Sequence, residues 1–176
     1  MFVDCHCHLS FPEYSADLKT VVSDLGDEFY ALIENTISPA NTHAALELLS
    51  KYTLVRFALG FHPYYAGECT DETIKEYARI IGENKNIVAI GEVGLDYKSK
   101  APLDVQKSAL VRFLDLAKQY DLPVIIHNRG FKEKLLAMIK EQGPAKVMFH
   151  CFSQDKEFTG RACKRIFCFL CHESDF

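Results

Sequence analysis

The sequence predicts an incomplete (β/α)8 barrel, of about six strand–helix units plus a seventh strand. Short apolar runs alternate along the chain with amphipathic segments of helical period, and runs that are apolar throughout are typical of parallel strands covered by helices. Right-handed crossovers between such strands give either an open doubly wound sheet or part of a barrel. No glycine-rich nucleotide-binding motif follows the first run, so the open sheet lacks its usual fingerprint.

Size and composition predict one globular domain spanning residues 1–176. The chain has 48% hydrophobic and 25% charged residues, a formal charge of −4 and seven cysteines. This charge gives no global attraction to nucleic acid, so a phosphate-binding surface would be local. An odd, scattered set of cysteines favours reduced thiols, and there is neither a signal-peptide pattern nor an apolar stretch of transmembrane length. We therefore expect a cytoplasmic protein, with the nucleus as an alternative, and no membrane partner.

The apolar runs are predicted as strands. In order, they cover residues 2–5, 30–33, 55–61, 86–90, 122–126 and 146–149, with a seventh at 166–170. The third runs into His62-Pro63, and the proline ends the strand because it cannot donate a ladder hydrogen bond.

The intervening segments are predicted as helices, because their apolar residues recur at spacings of three and four. In order, they cover residues 17–25, 40–52, 70–81, 102–117, 131–142 and 156–164. Ser38 and Pro39 supply the N-cap and the first helical position of the second helix. Gly143-Pro144 ends the fifth.

Histidine and glutamate side chains stand at the ends of the predicted strands. They are His6 and His8 after the first strand, His62 after the third, Glu92 after the fourth, His127 after the fifth and His150 after the sixth. Active sites of (β/α)8 barrels form at the carboxyl ends of the strands. These side chains are therefore expected to converge on one mouth.

The expected cluster has the chemistry of a metal site. Residues two apart on a strand point to the same face, so His6 and His8 project side by side. Neutral imidazoles and a carboxylate are suitable ligands for zinc and similar ions. An isolated His-x-His can equally be a pair of ordinary surface or core histidines. The other strand-end residues are what favour the metal interpretation.

These segments resemble the TatD-type metal-dependent deoxyribonucleases and hydrolases, which have an amidohydrolase-like barrel. The similarity lies in residues 2–9 (FVDCHCHL), 60–63 (GFHP), 91–97 (GEVGLDY), 123–129 (PVIIHNR) and 149–153 (FHCFS), which follow the family's order and spacing. The resemblance implies two divalent metal ions, of magnesium, manganese or zinc. His6, His8 and Glu92 would bind one ion, Glu92, His127 and His150 the second, and Glu92 would bridge them.

The resemblance also implies hydrolysis of phosphodiester bonds, with DNA or another phosphodiester substrate as the expected partner. Two adjacent ions can lower the pKa of a water molecule and stabilise both oxygens of an in-line displacement, which makes Glu92 the central catalytic residue. His62 and Arg129 are candidates for holding a substrate phosphate; the alternatives are a turn-stabilising histidine and a solvated arginine. Asp96 is expected either to orient a ligand histidine or to cap its loop.

Relatives in this family continue through an eighth strand that carries a Thr-Asp-x-Pro-like segment, and its aspartate completes the first metal site. Residues 1–176 contain no such segment. We therefore expect a barrel without its last part, with self-association through the open edge as one consequence. The resemblance alone does not establish that this chain is active.

Two other functions are compatible with the same residues. An amidohydrolase acting on a small cyclic amide or nucleobase also uses His-x-His and later histidines, but many such enzymes carry a carboxylated lysine on the fourth strand, where this chain has Glu92. A non-catalytic fragment that binds metal or associates with another chain is the third alternative.

Overall fold

The described part of the chain forms one six-stranded parallel sheet with the strands in sequence order, β1-β2-β3-β4-β5-β6. This is a computed structural model, and it describes residues 1–143, 146–151 and 156–162. The strands are β1 (Phe2–Cys7), β2 (Phe29–Asn35), β3 (Val55–Leu59), β4 (Ile87–Asp96), β5 (Val124–Arg129) and β6 (Val147–Phe149). The helices are α1 (Leu18–Leu25), α2 (Pro39–Leu49), α3 (Asp71–Glu83), α4 (Leu103–Gln119), α5 (Lys132–Gln142) and α6 (Lys156–Ala162).

The half-barrel with alternating helices confirms the predicted fold class. All six predicted strands are present, and the predicted seventh, at 166–170, lies outside the described residues. The main difference is that β1 and β4 extend past their apolar runs, to Cys7 and Asp96. The extra residues pair with neighbouring strands, so His6, Glu92 and Asp96 are strand residues, whereas His8, His62 and His150 lie just beyond strand ends.

Local signals explain several boundaries. The Ser38 side chain accepts a hydrogen bond from the Asn41 backbone N–H at the start of α2, as an N-cap does. Thr70 and Thr73 form a reciprocal capping box at the start of α3. Gly143 ends α5 with a φ of +68°, a left-handed conformation that glycine adopts at little cost.

The sheet has an apolar layer on each face. Alternate strand residues such as Phe57, Leu59 and Ile126 pack with helix residues such as Phe113 in the main core. A second, smaller cluster contains Ala58, Ala89 and Ile125, with Ile33 and Met148 packed against it. Because side chains alternate along a strand, this second cluster lies on the opposite face, which is the face that leads to the mouth.

Several register shifts interrupt the pairing of the strands, and two of them lie beside the histidine cluster. Ile90 pairs with Val124 but Val93 with Ile126, and Asp4 pairs with Leu32 but Cys7 with Glu34. Three residues on one strand therefore match two on its neighbour, as in a β-bulge, which redirects side chains. The bulges lie just before Glu92 in β4 and around His6 in β1.

Two glycines allow β4 to approach β5 closely. A Cβ at Gly91, whose φ is +156°, would lie 2.7 Å from the Ile125 Cβ, and one at Gly94 would lie 1.8 Å from the His127 carbonyl oxygen. The second contact is with backbone, which cannot move aside as a flexible side chain can. Glycine at these positions therefore permits the pairing that brings Glu92 near His127.

Within the described ranges, no helix has both the length and the apolar character required to cross a membrane.

Candidate metal centre

The side chain of Glu92 lies at the centre of the histidine cluster. Glu92 is 3% exposed. Its Oε1 lies 2.7 Å from His127 Nδ1 and 2.5 Å from His150 Nε2. Its Oε2 lies 3.5 Å from His6 Nε2 and 3.8 Å from His8 Nε2. Each carboxylate oxygen thus faces a different pair of histidines.

These donor atoms have separations that suit a shared ion. Two ligands bonded at about 2.0–2.1 Å in tetrahedral geometry lie about 3.3 Å apart, close to the spacing of His6 and His8 Nε2 from Glu92 Oε2. Ligand atoms of His6, His8 and Glu92 all lie within 4.8 Å of one another, as do those of His62, Glu92 and His127. His6 Nδ1 is buried without a hydrogen-bond partner among the described residues. The donor set therefore fits divalent metal ions.

The protonation states also favour metal binding. Burial lowers the pKa of His6 to about 3 and that of His62 to about 4, and it lowers the pKa of His8. Burial alone would raise the pKa of Glu92, but hydrogen bonds from His127 and His150 hold it well below its ordinary value. Neutral imidazole and ionised carboxylate are the ligand forms of these groups, and both prevail at neutral pH.

His127 is held between two carboxylates. Its Nδ1 faces Glu92, and its Nε2 lies 3.0 Å from Asp96 Oδ2. Burial lowers its pKa, but hydrogen bonds and charge from both carboxylates outweigh that effect and raise it. Asp96 also accepts a hydrogen bond from the Lys98 backbone N–H at 2.7 Å. It therefore makes both of the contacts expected from the sequence, to a histidine and to its own loop.

Gln106 on α4 fixes the backbone of Asp96. Its side-chain oxygen accepts from the Asp96 N–H at 2.9 Å, and its amide donates to the Asp96 carbonyl at 3.2 Å and to the Ala101 carbonyl at 2.8 Å. Gln106 is 3% exposed. The helix thereby supports the group that contacts His127.

The end of β2 supports the His8 side of the cluster. The Asn35 carbonyl oxygen lies 2.8 Å from His8 Nδ1. The Glu34 carboxylate, which is fully buried, accepts hydrogen bonds from the Leu9 N–H at 2.6 Å, the Ser10 N–H at 3.3 Å and the Ser10 hydroxyl at 2.5 Å. Burial raises the pKa of Glu34 to about 7, against the opposing effect of these donors.

The two candidate phosphate contacts flank the cluster. The His62 ring lies 4.3 Å from the His127 ring, centroid to centroid, and its Nδ1 accepts from the Tyr64 N–H at 3.2 Å. His62 thus stabilises its turn and also lies at ligand distance from Glu92. Arg129 is exposed at the end of β5, with its Nη1 3.7 Å from Asp96 Oδ2.

The structure brings all of the predicted strand-end residues together and adds four that the sequence analysis did not single out as site residues: Ser10, Glu34, Asn35 and Gln106. Two of these had a detectable signal. Glu34 ends an apolar run, and Gln106 is a polar residue on an apolar helical stripe.

A strict alternation along β1 would turn both Cys5 and Cys7 towards the helices. Because of the bulge, only Cys7 packs in the helix-side core, whereas Cys5 lines an apolar pocket with Ile33 and Ile125.

Comparisons with known proteins identify the family of this chain and agree with its fold. The family model described as TatD-related DNase matches residues 3–170. The uncharacterized metal-dependent hydrolase YabD of Bacillus subtilis is 32% identical over 94% of this chain and 66% of its own length. Human deoxyribonuclease TATDN3 is 33% identical over 85% of this chain and 60% of its own length.

Among solved structures, the TatD homologue YjjV of Escherichia coli superposes with a TM-score of 0.86 and 28% identity. That match covers 96% of this chain and 66% of YjjV. A TatD-family hydrolase of Entamoeba histolytica, 22% identical with a TM-score of 0.84, shares the fold. The chain thus spans about two thirds or less of the length of these relatives.

Proposed function

The chain belongs to the TatD-related DNase family, and from this premise we propose that it is a divalent-metal-dependent hydrolase that cleaves phosphodiester bonds in DNA. The relative from Bacillus subtilis is named an uncharacterized metal-dependent hydrolase, and the human relative is named a deoxyribonuclease. The single observation that carries the proposal is the placement of Glu92, whose two buried carboxylate oxygens face two different pairs of histidines.

In this proposal Glu92 would contribute to two ion sites. His6 and His8 would hold the first ion together with Glu92, and His127 and His150 would hold the second, also together with Glu92. A single buried carboxylate can offset two cations while using both of its oxygens. His62 is a further candidate ligand on the second side, since its donor atom lies within 4.8 Å of those of Glu92 and His127.

The ions would supply Lewis-acid stabilisation of the charge that develops on the phosphoryl oxygens, and a water molecule of lowered pKa. The residues of the chain provide the remaining steps. Glu92 and the histidines around it fix the ligand positions before substrate arrives. Asp96 accepts from His127 Nε2 and keeps Nδ1 turned towards Glu92.

Arg129 and His62 are the proposed contacts for the substrate phosphate. The planar guanidinium fork matches phosphate oxygens, and Arg129 lies two residues beyond His127 with its side chain exposed. The side chains of Tyr64 and Tyr97 are 49% and 60% exposed near these residues. Their rings are available for stacking on bases that flank the cleaved bond.

The test is cleavage of a labelled DNA oligonucleotide by the purified protein in magnesium, manganese or zinc, with a chelator control. We expect metal-dependent cleavage that Glu92→Ala lowers at least about 100-fold, since it removes a group that interacts with both ions. The matched control is Glu47→Ala on the exposed face of α2. Absence of cleavage in every metal, or full activity in Glu92→Ala, would contradict the proposal.

The same assay separates the two alternatives. Hydrolysis of cyclic amides without cleavage of DNA would favour an amidohydrolase. Retained metal binding without turnover of either substrate class would favour a non-catalytic metal-binding chain.

A further inference from the structure

We propose that Glu34 is a positioning residue that fixes the orientation of His8, and that it thereby prepares one half of the metal centre. This inference rests on the proposed role of His8 as a metal ligand. Glu34 lies at the end of β2, outside the cluster itself, and none of the roles proposed above involves it.

Glu34 acts on the peptide group that directly follows His8. The Leu9 N–H belongs to that peptide, and it donates to Glu34 Oε2 at 2.6 Å. The Ser10 N–H and hydroxyl both donate to Oε1, at 3.3 and 2.5 Å. The carboxylate therefore fixes the backbone dihedral angle on the C-terminal side of His8, together with the residue after it.

The neighbouring residue fixes the ring. The Asn35 carbonyl oxygen is 2.8 Å from His8 Nδ1, and because a carbonyl only accepts, Nδ1 carries the proton. Nε2 is then left without a proton and faces Glu92 Oε2. Groups that hold the other nitrogen of a ligand histidine set its tautomer and ring orientation. Glu34 keeps the His8 backbone at the position from which its ring reaches Asn35.

The donor set specifies a carboxylate. Three donors meet the two oxygens of Glu34, and an ionised carboxylate can accept from all of them. A glutamine would turn an N–H₂ group towards either Leu9 or Ser10 and leave a buried donor without an acceptor. Asn41 extends the network, since its amide donates to the Ser10 hydroxyl oxygen at 2.9 Å. The donors of the loop that follows His8 are thus matched to the two carboxylate oxygens of Glu34.

The experiment compares wild type with Glu34→Gln at pH 8. We expect zinc affinity, measured by calorimetry, to fall about 10- to 100-fold, as for other groups that support a metal ligand. In the metal-free protein, long-range ¹H–¹⁵N NMR of the imidazoles should show His8 as the Nδ1-protonated tautomer in wild type and as a mixture in Glu34→Gln. A purely structural role would leave the tautomer unchanged.

Two further variants provide a control and a second, milder test. Glu47→Gln makes the same substitution on the exposed face of α2 and should change neither measurement. Ser10→Ala keeps the Glu34 carboxylate and its backbone donors and removes only the hydroxyl, so it should weaken zinc binding in the same direction by a smaller factor. Ser10→Ala also decides the question if Glu34→Gln does not fold.

A folded Glu34→Gln protein with wild-type zinc affinity and an unchanged His8 tautomer would overturn the inference. If that variant does not fold, unchanged values in Ser10→Ala would overturn it. A wild-type protein that binds zinc but cleaves no DNA would refute the proposed nuclease activity and leave both measurements of Glu34 intact. If wild type binds no zinc, the His8 tautomer alone decides the role of Glu34, and the proposed function is decided separately by the cleavage assay in magnesium and manganese.

Discussion

Individual buried carboxylates determine how the histidines of this site are held. Glu92 contacts His127 at Nδ1, and Asp96 contacts the same ring at Nε2. Glu34 accepts a hydrogen bond from the backbone N–H of Leu9, the residue after His8. All three are at most 3% exposed, and a buried charge is costly unless it is paired or hydrogen-bonded. Their partners are the ligand histidines and the backbone that carries them. The contacts that offset the cost of burying these carboxylates are therefore the same contacts that hold the histidines in place.

Asp96→Asn tests the support of His127. The amide would place a donor opposite His127 Nε2 and favour the tautomer that carries a proton on Nδ1, which faces Glu92. We expect zinc affinity to fall about 10- to 100-fold, measured by competition with a chromogenic chelator. Asp24→Asn, on the exposed surface of α1, is the control. Equal affinities in the two variants would rule out an orienting role for Asp96.

Glu34 should make stability depend on pH with a defined sign. Its pKa in the folded protein is about 7, above the ordinary value of 4.5, so the folded state keeps a proton that the unfolded state loses between these values. The stabilising contribution of Glu34 is therefore present below pH 4.5 and lost as pH rises through 7. The unfolding free energy of wild type minus that of Glu34→Gln should fall by about 2–3 kcal/mol from pH 5 to pH 8.

Urea unfolding of both proteins at the two pH values measures this difference. The histidines titrate in both proteins, so their contributions cancel to first order. A difference that does not change with pH would mean that Glu34 is ionised across the whole range.

At the scale of elements, the ends of β1 and β4 depart from regular strand geometry where they carry ligands. An extra residue in each strand redirects the side chains that follow. Gly91 and Gly94 then let β4 lie against β5 more closely than any side chain would permit. The bulge and the glycines together bring Glu92 and His127 into contact.

Gly94→Ala should separate the ends of β4 and β5. The new Cβ would lie 1.8 Å from the His127 carbonyl oxygen, so one strand has to shift, at a cost of about 3 kcal/mol in unfolding free energy. Gly67→Ala is the matched control, because nothing lies within 4 Å of its Cβ position; its effect should stay within about 0.5 kcal/mol. Chemical denaturation measures both, and equal stabilities would show that β4 does not need this close approach.

For the whole molecule, the candidate ligands come from four strands and the loop after β3. Metal binding would therefore link distant parts of the sheet and stabilise the folded state by mass action. At a free zinc concentration 100 times the dissociation constant, we expect about 2.7 kcal/mol of added stability. Thermal unfolding with zinc, and after addition of a chelator, measures the change. Glu92→Ala should show little of it; an equal shift in that variant would indicate binding elsewhere.

Self-association through the open edge of the sheet remains a prediction. In the described residues β1 and β6 are the outer strands of the sheet, and Phe2 and Val3 on β1 are 67% and 47% exposed. Unpaired strand edges with apolar side chains favour association. Sedimentation velocity over a range of concentrations should detect a dimer, and a monomer at all concentrations would exclude it. The single domain over 1–176 and the cytoplasmic location also remain predictions.

The sequence by itself determined the alternation of strands and helices and the group of residues expected at the mouth. Both follow from local periodicity and from one rule of topology, that the carboxyl ends of parallel strands meet at the same edge. His6, His8, Glu92, His127 and His150 could be found in this way because each lies within three residues of the end of an apolar run.

Only the tertiary structure decided how these residues are supported. Cys5 lies on the opposite face from the one that strict alternation along β1 would give, because a bulge adds a residue that periodicity cannot reveal. Glu34 meets Leu9 across 25 positions of sequence, and Gln106 meets the Asp96 backbone from another element. Such contacts depend on which strands and helices become neighbours, and a linear pattern does not contain the distances between them.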